Sequence, residues 1–125
     1  EEAENYRHLA EKIAAAFNEK YLDRKTGQYE GATQTANLLP LAFGITPEAL
    51  AESVIPNVVK DVIAREYHPS TGFLGTAYLL PLLSQRGHHD LAYRVAAQKT
   101  YPSWGYMVEK GATTIWELWN SDSEG

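Results

Sequence analysis

Seven residues that occur twice constrain this chain more than anything else in it. Thr35-Ala36-Asn37-Leu38-Leu39-Pro40-Leu41 returns at an offset of 41 residues as Thr76-Ala77-Tyr78-Leu79-Leu80-Pro81-Leu82, with six of seven positions identical. A period of this size marks stacked supersecondary units, since a pair of short elements cannot bury its apolar face alone and must lean on a neighbour. A weaker third copy, Thr114-Ile115-Trp116-Glu117-Leu118-Trp119, begins at an offset of 38 from Thr76 and keeps only the Thr and the apolar character.

The segments between the copies have a helical period. Tyr6, Leu9, Ile13 and Phe17 form one stripe, Leu50, Val54 and Val58 with Ile55, Val59 and Ile63 a second, and Leu91 and Val95 a third. Charged residues stand opposite them, as on a helix with one face in water. The repeated segments are apolar nearly all round, which predicts burial on most sides. The order along the chain is therefore outer helix, inner helix, three times over. Thr46-Pro47 reads as a hydroxyl N-cap before a proline at the first helical position, and Gly87 as a helix stop. Pro40 and Pro81 lie inside the inner helices, where proline costs about 3 kcal/mol. Because both copies carry it at the same place, it reads as a built-in feature of the unit.

The connections are unequal. Inner helices pass to the next outer ones by tight turns near Gly44 to Thr46 and near Arg86 to His88. Outer helices pass to the next inner ones by long loops, Leu22 to Ala32, Glu66 to Gly75 and Tyr101 to Gly111. All three long loops fall on one end of the stack, and long loops gathered on one face of a rigid scaffold are where binding and catalysis sit.

At 125 residues the chain suffices for one domain. Its net charge of -5 with eleven scattered Lys and Arg argues against nucleic acid or an anionic membrane surface. No run is long and apolar enough to span a bilayer. The absence of cysteine excludes a disulfide framework or a thiolate metal site. His88, His89 and Asp90 are adjacent, and neighbouring positions on a helix point about 100° apart, so they do not chelate as an i, i+4 pair does. Neither a metal nor a cofactor is expected. Glu1, Glu2 and Glu4 offer no basic n-region, so no signal peptide is visible and the compartment is undetermined.

Chemistry concentrates in the third loop and the residues just after it, Tyr101 to Trp119, a stretch that holds all three Trp of the chain, two Tyr, Glu109 and Glu117. Aromatic faces stack on the apolar faces of sugar rings, and carboxylates are the acids and bases of glycosidic cleavage. The same aromatics also suit a buried core, the plainer account of Tyr101 and Trp119. Glu117 has two readings as well. Thr114-Ile115-Trp116-Glu117 matches the S/T-x-x-E capping box, in which Glu117 would only close a helix start.

The run YPSWGYMVEKGATTIWELWN, with STGFLGTAYLLPLLSQRGHHDLAYR before it, resembles the end of the catalytic domain of bacterial α-L-rhamnosidases, from about Tyr21 onward. The resemblance implies an all-α fold of antiparallel helical hairpins, residues 1–125 forming about half of an (α/α)6 toroid as three outer/inner pairs with the last truncated. It implies hydrolysis of terminal α-L-rhamnosides with inversion, with Glu117 in the place of the general base. Trp104, Tyr106 and Trp116 are then candidates for substrate binding. The implied partners are rhamnose-terminated glycosides or oligosaccharides and the remainder of a parent enzyme, whose general acid and rhamnose-gripping residues lie outside this chain. The chain alone is accordingly expected to be inactive. Where the family pattern has Glu-Arg-Trp or Glu-Arg-Phe, this sequence has Glu117-Leu118-Trp119, so a fixed charge beside the base is missing, which bears on substrate preference. Thr71, Gly72 and Phe73 shape the turn into the second inner helix, and His68 is a rim histidine with no assigned role.

Two other classes fit the repeat. A helical solenoid binding module shares the period but has short turns at both ends. Another (α/α) toroid glycosidase, glucoamylase-like or trehalase-like, shares the fold and the aromatic loops and predicts a different sugar.

Overall fold

The structure, a computed structural model, describes residues 1–122; residues 123–125 of the 1–125 span lie outside the described residues. Six helices follow one another: α1 (Glu2–Tyr21), α2 (Gln34–Ala42), α3 (Glu48–Ala64), α4 (Phe73–Gln85), α5 (His89–Ala96) and α6 (Trp104–Glu109). Between α1 and α2 lies a small antiparallel ribbon of β1 (Leu22–Asp23) and β2 (Gln28–Tyr29), with Leu22 opposite Tyr29. The fold is all-α, as the periodicity requires, with this ribbon as its one exception among the described residues.

α2 packs on α3 and α4 on α5, each a hairpin of one inner and one outer helix, and the two hairpins join where α2 lies against α4. Leu38 and Leu41 of α2, Val54, Val58 and Val62 of α3, Leu79, Leu82 and Leu83 of α4, and Leu91 and Val95 of α5 make one continuous core. Pro40 and Pro81 sit inside α2 and α4, and Pro56 inside α3, without ending any of them. Buried leucines worth about 1.5–3 kcal/mol each outweigh the lost ladder bond, so tertiary packing overrides the propensity.

Both tight turns are Schellman closures. Gly44 N–H donates to the Leu41 carbonyl at 3.2 Å and Ile45 N–H to that of Pro40 at 2.9 Å; Gly87 N–H donates to Ser84 at 3.0 Å and His88 N–H to Leu83 at 2.8 Å. Both glycines take the positive φ this needs, 65° and 82°. Gly87 thus stops α4 as read from the sequence. The cap assigned to Thr46 is not made: α3 has no side-chain cap, and the buried Thr46 hydroxyl is 2.8 Å from the Tyr29 hydroxyl instead.

The repeat and its exceptions have structural reasons. Gly75 of α4 faces α2 so closely that a Cβ there would lie 2.8 Å from Thr35 Oγ1, so the inner helices meet at a glycine. The one differing position is Asn37 against Tyr78. Asn37 is buried; its Oδ1 accepts from Tyr29 N–H at 2.9 Å and clips β2 to α2, while its Nδ2 donates to the Thr33 carbonyl. Tyr78 turns outward and meets Phe43 edge-on at 5.0 Å. Asn18 completes the first clip, donating to the Ile45 carbonyl at 2.8 Å and accepting from the Tyr29 hydroxyl.

Three expectations are corrected. The loop from Leu22 to Ala32 contains the β-ribbon, because Leu22 and Tyr29, paired across it, bury one face of the ribbon against the hairpins. The loop from Tyr101 to Gly111 contains α6, capped by Ser103, whose hydroxyl accepts from Tyr106 N–H at 3.0 Å. The third inner helix is not formed among the described residues: after α6 the chain runs irregularly through Thr114 to Asp122. Asn120, Ser121 and Asp122 favour turns over helix, and Trp119 commits its ring to other elements. The capping box at Thr114 is therefore not made. Of the α1 stripe, Tyr6, Leu9 and Ile13 are more than half exposed and Phe17 alone packs against the core, where Tyr21, outside the stripe, joins it.

Candidate active site

The long-loop end of the hairpins is ordered by buried polar side chains. Gln34, at the start of α2 and fully buried, accepts from Ser70 N–H at 2.8 Å and donates to the His68 carbonyl at 3.3 Å. His68 in turn has Nδ1 2.9 Å from the Arg65 carbonyl and Nε2 2.8 Å from Thr100 Oγ1, so it joins the second loop to the third. Thr71, also buried, has Oγ1 2.9 Å from Thr76 Oγ1, and Thr76 Oγ1 donates to the Gly72 carbonyl at 3.0 Å. Together these bonds make a rigid platform at the N-terminus of α4.

Against this platform stands the aromatic segment. Trp104 opens α6, whose backbone presses on residue 98 so tightly that a Cβ at Gly105 would lie 2.3 Å from the Gln98 carbonyl oxygen. Trp119 meets Trp104 edge to face at 5.3 Å and 75°, and its Nε1–H donates to the Thr71 carbonyl at 3.0 Å. Both rings line a cavity of about 400 Å³ whose other walls are Phe73, Ala77 and Leu80 of α4, Met107 of α6, and Ile115, Trp116 and Glu117.

Glu117 lines this cavity with its side chain exposed, and Trp104 and Trp116 share the same wall. Three of the four residues singled out from the sequence are thus brought together. Tyr106 is elsewhere: its hydroxyl donates to Asp122 Oδ2 at 2.7 Å, its ring meets Tyr101 at 5.4 Å, and Lys110 Nζ lies over it at 5.4 Å. The bond to Asp122, with burial and the carboxylate's charge adding to it, holds the Tyr106 hydroxyl above its ordinary pKa. A second cavity of about 870 Å³ is lined by Arg65, Glu66, His68 to Thr71, Thr100 to Pro102 and again by Trp119.

His88, His89 and Asp90 line a separate cavity of about 410 Å³ with Tyr67 and Arg94, on the outer-helix side. No cluster of three or more potential metal ligands occurs among the described residues. None of their helices is long and apolar enough to cross a membrane.

The sequence reading passed over Gln34, Asn37 and Ser103, which hold the loops rather than face the cavity, and gave Thr71 the turn into α4 without the bonds it makes there. A signal for two of them was present: Gln34 and Asn37 are polar residues three apart in an otherwise apolar inner segment, a pattern that demands buried partners.

An apolar and aromatic hollow at one end of an all-α hairpin stack, with one carboxylate on its rim, suits a neutral ring-shaped ligand, and comparison with known proteins agrees in both fold and sequence. An α-L-rhamnosidase of Streptomyces avermitilis is 43% identical over 120 residues, covering 96% of this chain and 12% of the relative. One of Formosa agariphila is 39% identical over 124 residues, covering 99% of this chain and 13% of the relative. The crystal structure of the Streptomyces avermitilis α-L-rhamnosidase complexed with L-rhamnose superposes with a TM-score of 0.91 at 44% identity, covering 95% of this chain and 12% of that one. The chain therefore spans about an eighth of the length of these relatives. All of it, residues 1–125, matches the bacterial alpha-L-rhamnosidase 6 hairpin glycosidase domain. The repeated hairpins are thus units of a known ring architecture, and the chain belongs to the bacterial α-L-rhamnosidase six-hairpin glycosidase family.

Proposed function

We propose that this chain is part of an α-L-rhamnosidase that hydrolyses terminal non-reducing α-L-rhamnose from glycosides or oligosaccharides with inversion, and that Glu117 is its general base. The observation that carries the proposal is the placement of Glu117 on the rim of a cavity walled by Trp104, Trp116 and Trp119. A carboxylate there can take a proton from a water on the face of the sugar opposite the leaving group. A second, protonated carboxyl, supplied by the remainder of the enzyme, protonates the glycosidic oxygen from the other side. The two stand roughly 6.5–9.5 Å apart in inverting enzymes, which leaves room for the water.

The apolar walls support a deoxy sugar in particular. Rhamnose ends in a methyl group where mannose has a hydroxymethyl, and a methyl is favoured against Phe73, Leu80 and Ile115 where a hydroxyl would lose its partners. Trp104 and Trp116 offer stacking faces to the ring. Tyr106, held by Asp122 outside this cavity, is given no part in the binding of the first sugar.

The test is hydrolysis of an aryl α-L-rhamnoside by the full-length enzyme, wild type beside Glu117→Gln. With the fold retained, the variant is expected to lose about 10²–10⁴-fold in kcat, and the first-formed sugar to be the β-anomer by NMR. Wild-type activity on an aryl α-D-mannoside but not on the rhamnoside would move the reading to another toroid glycosidase. Undiminished activity of the variant would remove Glu117 from the chemistry. The isolated chain, which contributes a single carboxylate to this cavity, is expected to be inactive on either substrate.

A further inference from the structure

A general base has to be held within about half an ångström of its productive position, yet the backbone around Glu117 has almost nothing of its own to hold it. From Thr113 to Trp119 the one backbone–backbone hydrogen bond among the described residues is that of Ser121 N–H to the Leu118 carbonyl, at 3.4 Å. No helix ladder or sheet edge supports the segment. The restraint comes instead from a side chain two residues further on.

We propose that Trp119 is a positioning residue for Glu117. Its indole is gripped at two points that are themselves rigid. Nε1–H donates to the carbonyl of Thr71, 48 positions earlier in the chain. Thr71 is 1% exposed, its hydroxyl is bonded to that of Thr76, and its methyl lies where a Cβ at Gly75 would be 3.2 Å away. At the second point the ring meets Trp104, on the short helix locked by Ser103 and by the close approach of Gly105 to residue 98. Trp119 also lines both the Glu117 cavity and the larger cavity beside His68 and Tyr101. Ring bulk alone would fill the gap; the directed N–H bond fixes the register of the segment and with it the height of Glu117 above the cavity.

The inference rests on Glu117 being the base, and the experiment separates the two. In the full-length enzyme, Trp119→Phe keeps a ring and removes the donor, and Glu117→Gln is measured in parallel. Displacing a base by a fraction of an ångström to an ångström lowers kcat by about 10–100-fold, so Trp119→Phe is expected to lose about that much in kcat on an aryl α-L-rhamnoside, with KM changed less than about twofold. Azide provides the decisive readout. It is an anion that attacks the anomeric carbon without losing a proton, giving the inverted glycosyl azide as the aryloxide departs, so it bypasses the base. Added azide should restore turnover of Trp119→Phe and of Glu117→Gln alike. Wild-type kcat in Trp119→Phe beside a crippled Glu117→Gln overturns the positioning role and leaves the base assignment standing. A loss in Trp119→Phe that appears in KM, or that azide does not relieve, also overturns it. Full activity of Glu117→Gln removes the base assignment and the inference with it. If Trp119→Phe does not fold, benzothienylalanine at position 119, which keeps the indole shape and replaces N–H by sulfur, gives the same comparison.

Discussion

Asn37 and Gly75 are the residues on which the hairpins depend most individually. Asn37→Leu leaves the buried Tyr29 N–H without its acceptor, which costs about 1–3 kcal/mol. In the full-length enzyme it should lower the midpoint of urea unfolding and raise amide exchange at Tyr29 before it affects the α4–α5 hairpin. Gly75→Ala brings a methyl to 2.8 Å from Thr35 Oγ1. Overpacking of this kind costs about 1–3 kcal/mol, and because the closest obstacle is the Thr35 hydroxyl, with Thr71 next at 3.2 Å, Thr35→Ala in the same protein should recover part of the loss. Additive losses in that double mutant, measured by the same unfolding curves, would mean that the clash is relieved by a helix shift. Neither position was legible from the sequence as critical. The repeat displays Asn37 only as its one mismatch, and the closeness of Gly75 to a threonine 40 positions away is a fact of packing that no local pattern encodes.

At the scale of elements, the outer and inner helices α1 to α5 were readable because each carries a stripe or an all-round apolar run of helical period. The stop of α4 was readable at Gly87, and the turn after α2 near Gly44 to Thr46. What failed was local: the β-ribbon and α6 are short, and short elements are decided by contacts with distant residues rather than by period. The absent third inner helix failed for the opposite reason, since a good N-terminal motif at Thr114 is overruled by turn-forming residues after it and by the Trp119 anchor. One contact between elements has a pH signature. Arg86, at the end of α4, holds Glu48, in the first turn of α3, through two bonds of 2.6 and 3.1 Å. This bond, with the guanidinium's charge, lowers the Glu48 carboxyl below its ordinary value of 4.5. The unfolded chain therefore binds the proton first as pH falls, so the stabilisation is complete above about 4.5 and disappears through the window below it. Glu48→Gln should melt slightly below wild type at pH 6 and coincide with it near pH 3. The effect is small, because the pair is in water.

For the whole molecule, the apolar surface left open is the most informative property. Tyr6, Leu9 and Ile13 on α1, and Phe73 and Leu74 on α4, are each more than half exposed. Surfaces of this kind are covered in a stable protein. Expressed alone, the 125-residue chain is expected to sediment as a mixture of oligomers and to melt without a sharp transition; a monodisperse monomer with a cooperative melt would contradict that. The candidate site was legible in part. The clustering of Trp104, Trp116 and Glu117 could be anticipated from their density in one stretch and the resemblance it carries, whereas the separation of Tyr106 could not, because it turns on Asp122, sixteen residues away.

The mismatch at Asn37 and Tyr78 reaches beyond either hairpin. The six shared positions make each unit the same shape, and the seventh decides which neighbour it accepts: a strand clipped by an amide in one copy, a ring meeting Phe43 in the other. The copies are consequently not interchangeable. Shuffling them would leave Tyr29 without its clip and Phe43 without its ring, so the order of units around such a ring is written in the exceptions to its repeat.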